Sequence, residues 1–219
     1  MTSELQKDLS STDEIIDWQS LYNKSDEFKN NKPFKFTFVK GIFKQDFFDK
    51  LYETFPKFDD TWFHNTDYRR SAHTKPFYKE GDELKSDPNL STEWNKLKFY
   101  INSSEFVENL SKFYGKKVTT MELSGLFANK KADFQLPHID VDGEYTNNLQ
   151  LLFYFSKGWQ KGDPGGTYVC ETDDESSILF EPYDLDNSVV IFEETPHSWH
   201  GTRYITKDVV RQALAVALR

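Results

Sequence analysis

The sequence predicts a mainly β fold, a sandwich or barrel, with helices from the N-terminal half packed on one sheet. Three observations carry this reading. From Val118 onward the chain breaks into eight short runs of strand character, near 119–128, 132–140, 147–156, 166–171, 177–181, 188–193, 198–205 and 210–218, separated by turn residues. Ahead of them, most apolar residues recur at helical spacing. The chain of 219 residues also holds 20 Phe, 11 Tyr and 5 Trp, enough bulk to fill a core between short strands.

Taken in order, residues 1–11 read as a flexible tail ahead of a single domain over 12–219, with helical support over 12–117 and the β core over 118–219. Ile15, Ile16, Trp18, Leu21 and Tyr22 predict a helix over 12–24, with Thr12 as its N-cap and Asp13 and Glu14 in the first turn. Phe34, Phe36 and Phe38 alternate with Lys35, Thr37 and Val39, a strand closed by Gly41. A helix over 45–55 carries Phe47, Phe48, Leu51, Tyr52 and Phe55 on one stripe and stops before Pro56. Residues 57–90 are polar and read as a long irregular connection, the kind of segment that serves as a substrate loop or lid. Ser91 or Thr92 caps a helix through Ile101, and a further helix over 104–114 ends at Gly115.

Bulk properties narrow the function. The net charge of −9 argues against a sequence-independent grip on nucleic acid, which needs a basic face. No run approaches the ~20 apolar residues of a membrane span, and the first residues lack the apolar core of a signal peptide. With a single cysteine, Cys170, no intrachain disulfide forms. A cytoplasmic protein with no membrane or nucleic-acid partner is expected.

The chemistry concentrates in the second half. His138-Ile139-Asp140 places two potential metal ligands two residues apart, which on a strand brings both to one face. Sixty residues on lies Ser198-Trp199-His200-Gly201, with His197 beside it. Strand parity allows only one of those two histidines to enter the same interior; His200 is preferred because Thr202 and Tyr204 then face inward with it. Two imidazoles and a carboxylate suit a mononuclear Fe(II) site with open coordination positions. In the last run Arg211 shares a face with Ala213, Ala215 and Ala217, so a guanidinium borders a cavity left by small residues, a fork suited to a carboxylate.

The ordered set formed by the 34–41 strand and 45–55 helix, His138-x-Asp140, Leu149–Phe155, Trp159 with the Gly165-Gly166 turn, Val189–Phe192, Ser-Trp-His200-Gly and Arg211 resembles the Fe(II)- and 2-oxoglutarate-dependent oxygenases, particularly the prolyl-hydroxylase-like branch. The resemblance implies a double-stranded β-helix, or cupin-like jelly roll. It implies that His138, Asp140 and His200 bind Fe(II), that Arg211 pairs with the distal carboxylate of 2-oxoglutarate, and that Gln150 and Tyr154 stand near that cosubstrate. Many prolyl hydroxylases carry Lys where Arg211 stands, which sets this chain in a different subgroup. The implied activity is hydroxylation of a C–H bond with O2, with ascorbate as an auxiliary reductant. The expected substrate is a protein or peptide side chain such as proline; a free amino acid, sugar or other metabolite is the alternative. Arg69, Arg70 and His73 are candidates for an acidic substrate group, and Tyr145, within 142–147, for a lid. The rival readings are a cupin-like metal protein that is not an oxygenase, and an interaction module with a vestigial site.

Overall fold

The computed structural model describes residues 15–140 and 149–219. In chain order its elements are α1 (Trp18–Tyr22), α2 (Ser25–Asn30), β1 (Phe36–Lys40), α3 (Gln45–Glu53), β2 (Phe63–Thr66), β3 (Arg70–Lys79), α4 (Thr92–Ile101), α5 (Ser104–Tyr114), β4 (Met121–Asn129), β5 (Phe134–His138), β6 (Leu149–Tyr154), β7 (Thr167–Cys170), β8 (Ile178–Phe180), β9 (Ser188–Glu193), β10 (His200–Thr202) and β11 (Arg211–Leu218). The eight strand-like runs of the second half thus become β4 to β11. The tail 1–11 and the first residues of the 12–24 helix lie outside the described residues.

The strands hydrogen-bond in the order β1-β9-β6-β11-β4-β3-β5-β10-β7-β8, with β2 on β3. Along the chain, β4, β6, β9 and β11 fall in one group and β5, β7, β8 and β10 in the other. That winding between two facing groups is the double-stranded β-helix, and all ladders are antiparallel. Each strand therefore has one face toward its opposite group and one face away from it.

The outward face of the larger group is covered by helices. Leu126, Leu151, Phe153, Val189, Ile191, Leu214, Val216 and Leu218 join Phe48, Leu51, Trp94, Leu97, Tyr100, Phe106, Leu110 and Phe113 in one core. Phe155 is its hub, with ring centroids 5.1 to 6.1 Å from Phe43, Phe48, Phe55 and Trp94. Trp94 also donates through Nε1 to the Leu51 carbonyl at 3.0 Å, which satisfies the polar atom it buries. Ser91 accepts from the Trp94 amide and Ser103 from Phe106, so α4 and α5 each begin on a serine cap. Gly115 ends α5 at φ +75°, a left-handed turn that costs glycine little.

Two of the sequence expectations change. The segment 57–90 is not an irregular loop: it holds the hairpin β2–β3, and β3 bridges β4 to β5. Its polarity is that of strands whose faces are half wet, with Ala72 and Phe77 buried and charged neighbours outward. The helix expected over 12–24 is only α1, because Ile16 pairs in a β-bridge with Phe43, while α2 over Ser25–Asn30 adds a turn stabilised by Phe28. The N-terminal half is therefore not purely helical support, since β1, β2 and β3 extend the same sheet. No helix among the described residues is long and apolar enough to cross a membrane.

Candidate metal centre and its cavity

His200 of β10 stands directly opposite His138 of β5 in an antiparallel register, and their ring centroids are 4.2 Å apart. Strand β5 ends at His138, yet extended parity still returns Asp140 to the same side. Its carboxylate oxygens lie 3.3 Å from His138 Nε2 and 3.4 Å from His200 Nε2. Gly201 makes this approach possible: a Cβ there would collide with the Gln135 carbonyl and the Tyr168 hydroxyl. With β10 held close between β5 and β7, the three ligand atoms fall within 4.8 Å of one another.

Both imidazoles are oriented by the chain two residues back. His138 Nδ1 lies 2.9 Å from the Leu136 carbonyl, and His200 Nδ1 lies 2.9 Å from the Ser198 carbonyl. A carbonyl only accepts, so each Nδ1 carries a hydrogen and each Nε2 faces Asp140, donating to the carboxylate when the ring is charged and offering a lone pair to a metal when it is neutral. This is the arrangement in which imidazoles ligate a metal through Nε2. The Gln135 carboxamide nitrogen, 2.9 Å from His138 Nε2, donates to the lone pair that a metal would take. Burial acts to raise the Asp140 carboxyl, but the charges and hydrogen bonds of His200 and His138 overcome it and hold the acid well below the usual carboxylate range. For His200, burial acts to lower the imidazole and the Asp140 carboxylate outweighs it, leaving the value raised. Two nitrogen donors and one anionic oxygen fit a divalent transition ion and leave coordination positions for other molecules.

The cluster opens on a cavity of about 740 Å³ between the two strand groups. Arg211, 2% exposed, lies in its wall beside Ala215 and Ala217. Its Nη2 donates to Thr167 Oγ1 at 3.2 Å, and its guanidinium carbon lies 5.1 Å from the Tyr154 ring centre. Its Nε has no hydrogen-bond partner, and no carboxylate among the described residues forms an ion pair with it. A buried cation without an anion is costly, and an anionic ligand would remove that cost. Gln150 lines the same cavity and donates to Glu194, a buried carboxylate. Tyr154 is fully buried beneath Arg211, its hydroxyl accepting from the Thr167 amide at 2.8 Å.

Other residues singled out in the sequence are placed as follows. His197 sits in an exposed turn, away from the cluster that contains His200. Thr202 lines the cavity, but Tyr204 does not face inward. It is 56% exposed and stacks on Phe134, because β10 ends at Thr202 and the parity expected over 198–205 lapses with it. Arg70 reaches the cavity with its Nε 3.4 Å from Asp67, whereas the Arg69 guanidinium lies over the exposed Tyr68 ring. His73 points to the opposite face of β3 and meets Asp133. Tyr145 and the rest of 142–147 lie outside the described residues. Gln135, Thr167 and Glu194 escaped sequence reading. Parity with Phe192 would have placed Glu194 inward; the other two depend on neighbours that only the sheet order supplies.

These features define a jelly-roll protein with a two-histidine, one-carboxylate cluster at the mouth of a cavity and, in its wall, a buried arginine that no carboxylate among the described residues pairs. No family model matches the chain, and no curated protein sequence matches it. Solved structures do. A prolyl-4-hydroxylase from Pseudomonas putida superposes with a TM-score of 0.63 at 10% identity, covering 91% of this chain and 98% of that one. A prolyl hydroxylase from Trichoplax adhaerens, in complex with a peptide fragment of the hypoxia inducible factor oxygen degradation domain, gives 0.60 at 13% identity over 100% of this chain and 93% of that one. An oxidoreductase of the 2OG-Fe(II) oxygenase family from Burkholderia pseudomallei gives 0.61 at 10%, over 92% and 90%. The chain has the fold of the 2-oxoglutarate-dependent oxygenases.

Proposed function

We propose that this protein is an Fe(II)- and 2-oxoglutarate-dependent oxygenase that hydroxylates a C–H bond. The observation that carries the reading is Arg211, a buried guanidinium without an anionic partner among the described residues, in the wall of the cavity that opens at the His138–Asp140–His200 cluster. When bound, iron and 2-oxoglutarate supply the oxidising chemistry: O2 is consumed, the cosubstrate leaves as succinate and carbon dioxide, and one oxygen atom passes to the substrate. The protein's share is positioning. His138 and His200 offer Nε2 and Asp140 a carboxylate oxygen to the ion, and Arg211 with Thr167 anchors the distal carboxylate. The apolar walls of Phe127, Leu152 and Phe192 exclude water around the reacting groups.

A peptide side chain such as proline is the favoured substrate, supported by the likeness to prolyl hydroxylases, one of them solved with a peptide. Arg70, which lines the cavity, would meet an acidic group on that substrate, and Tyr145 would serve as a lid residue. A small metabolite is the second reading, favoured by a cavity volume within the range of small-molecule sites. The test is succinate release by purified protein given Fe(II), ascorbate and 2-oxoglutarate, with and without proline-containing peptides. Turnover that peptides stimulate is expected; absence of both turnover and 2-oxoglutarate binding would sink the proposal. In the same assay His200→Ala should lose turnover and His197→Ala keep it.

A further inference from the structure

The hairpin β2–β3 has two faces. Asn65, Arg70, Ala72 and Thr74 turn toward the cavity. On the reverse face His64 and His73 are direct cross-strand partners, their rings parallel within 1° and 4.2 Å apart. A second carboxylate meets them there. Asp133 is 3% exposed and sits in a tight turn whose Ala132 adopts φ +76°, a conformation that a residue with a Cβ seldom takes. That turn aims the Asp133 carboxylate at His73 Nδ1, 2.8 Å away.

We infer that His64, His73 and Asp133 form a second site for a divalent transition ion of the zinc type, separate from the His138–Asp140–His200 cluster. The donor atoms lie within 4.8 Å of one another, near the span of about 4 Å for donors that each sit about 2.1 Å from one ion. His73 is held edge-on by Phe58, with centroids 5.1 Å apart, and Asp133 is anchored by Ser71 Oγ at 2.6 Å and the Lys130 amide at 2.7 Å. The Ser71 hydroxyl donates to Asp133 and so accepts from His64 Nε2 at 2.9 Å, while His73 uses Nδ1 on Asp133. An ion would meet His73 at Nδ1, the nitrogen that faces Asp133, in place of its hydrogen, and the exposed His64 ring would turn out of the stack to complete the set. Lys130, the neighbouring cation, rests its ammonium 3.4 Å over the Phe58 ring.

The donors are two imidazoles and a carboxylate with no thiolate, a borderline set that takes Zn2+, Ni2+ or Cu2+ in preference to Ca2+ or Mg2+. His64 is exposed, so the ion is reached from solvent. Bound there, it cross-links β2 and β3 to the turn before β5 and stiffens the hairpin whose other face walls the cavity.

The test is dialysis of the full chain against a small excess of ZnCl2, followed by elemental analysis of bound zinc per chain. Circular dichroism checks the fold of every variant. The wild type is expected to hold two ions, His138→Ala/His200→Ala one, and His64→Asn/His73→Asn one. A wild type that holds one ion, lost with His138 and His200 but kept without His64 and His73, overturns the inference. Two ions retained by the folded hairpin variant overturn it as well. One ion that is lost only in the hairpin variant supports the second site while sinking the metal role of the first cluster. The melting temperature adds a further readout: zinc raises it in His138→Ala/His200→Ala, and leaves it unchanged when the hairpin histidines are also replaced.

Discussion

The two faces of β11 do different work. Leu214, Val216 and Leu218 point into the helical layer and are fully buried, whereas Arg211, Ala215 and Ala217 on the same eight residues line the cavity. One face gains from burying apolar area, about 1.5–3 kcal/mol for each large side chain. The other leaves space and buries a cation with no anionic partner among the described residues, which costs stability in the absence of a ligand. The period-two geometry of a strand keeps these demands apart, so a substitution reports on folding or on binding according to its parity.

The sharpest break of this contrast is Arg211→Leu. Affinity for 2-oxoglutarate should fall by about 2–5 kcal/mol, about 30-fold or more, because the carboxylate loses a buried charged partner. The melting temperature of the ligand-free protein should not fall and is expected to rise. Calorimetric titration and thermal melts read the two effects separately; a large loss of stability with unchanged affinity would reverse the assignment of faces.

Leu214→Ala is the converse. It removes a fully buried side chain from the helical core and should cost about 3 kcal/mol in chemical denaturation, while the iron affinity of the folded protein stays within a factor of a few.

Glu193 tests the end of β9, where the sheet meets α5. Burial acts to raise its carboxyl, but hydrogen bonds from Lys116, Tyr114 and Lys35 win and lower it. A carboxyl depressed in the folded state stabilises above its unfolded value, about 4.3, and that stability disappears as pH falls through the folded value. Glu193→Gln should therefore lose about 2 kcal/mol at neutral pH, and its deficit relative to wild type should shrink below about pH 4. Melting curves of both proteins across that range provide the check.

The smallest effect belongs to Cys170 of β7, on the other strand group. Burial first, then the Glu175 carboxylate, push its thiol up to about 11. The native protein should resist thiol alkylation at neutral pH and react only on unfolding. Rapid labelling of the folded chain would show that this half opens far more readily than the helix-backed half.

Much of this was legible without coordinates, and for particular reasons. The alternation of small and large residues around Arg211, Ala213, Leu214, Ala215 and Val216 already separates a cavity face from a core face. His138-x-Asp140 needs only local strand parity to bring its two side chains to one side. Ser91, Ser103 and Gly115 mark helix ends through backbone hydrogen-bonding rules that act within a few residues. The 57–90 segment was unreadable because its strands are held by pairing with β4 and β5, and its polar residues lack an apolar stripe that would have announced a sheet.

Local chemistry in the chain thus determined which residue types could serve as ligands, which strands had two unlike faces and where the helices begin. Tertiary structure alone decided that His200, preferred over His197 by parity, stands directly opposite His138, that Arg211 has no anionic neighbour among the described residues, and that His64, His73 and Asp133 converge behind the hairpin. Parity and capping are set by neighbours along the backbone, whereas register and the absence of a partner depend on strands distant in sequence, and no local pattern encodes those distances.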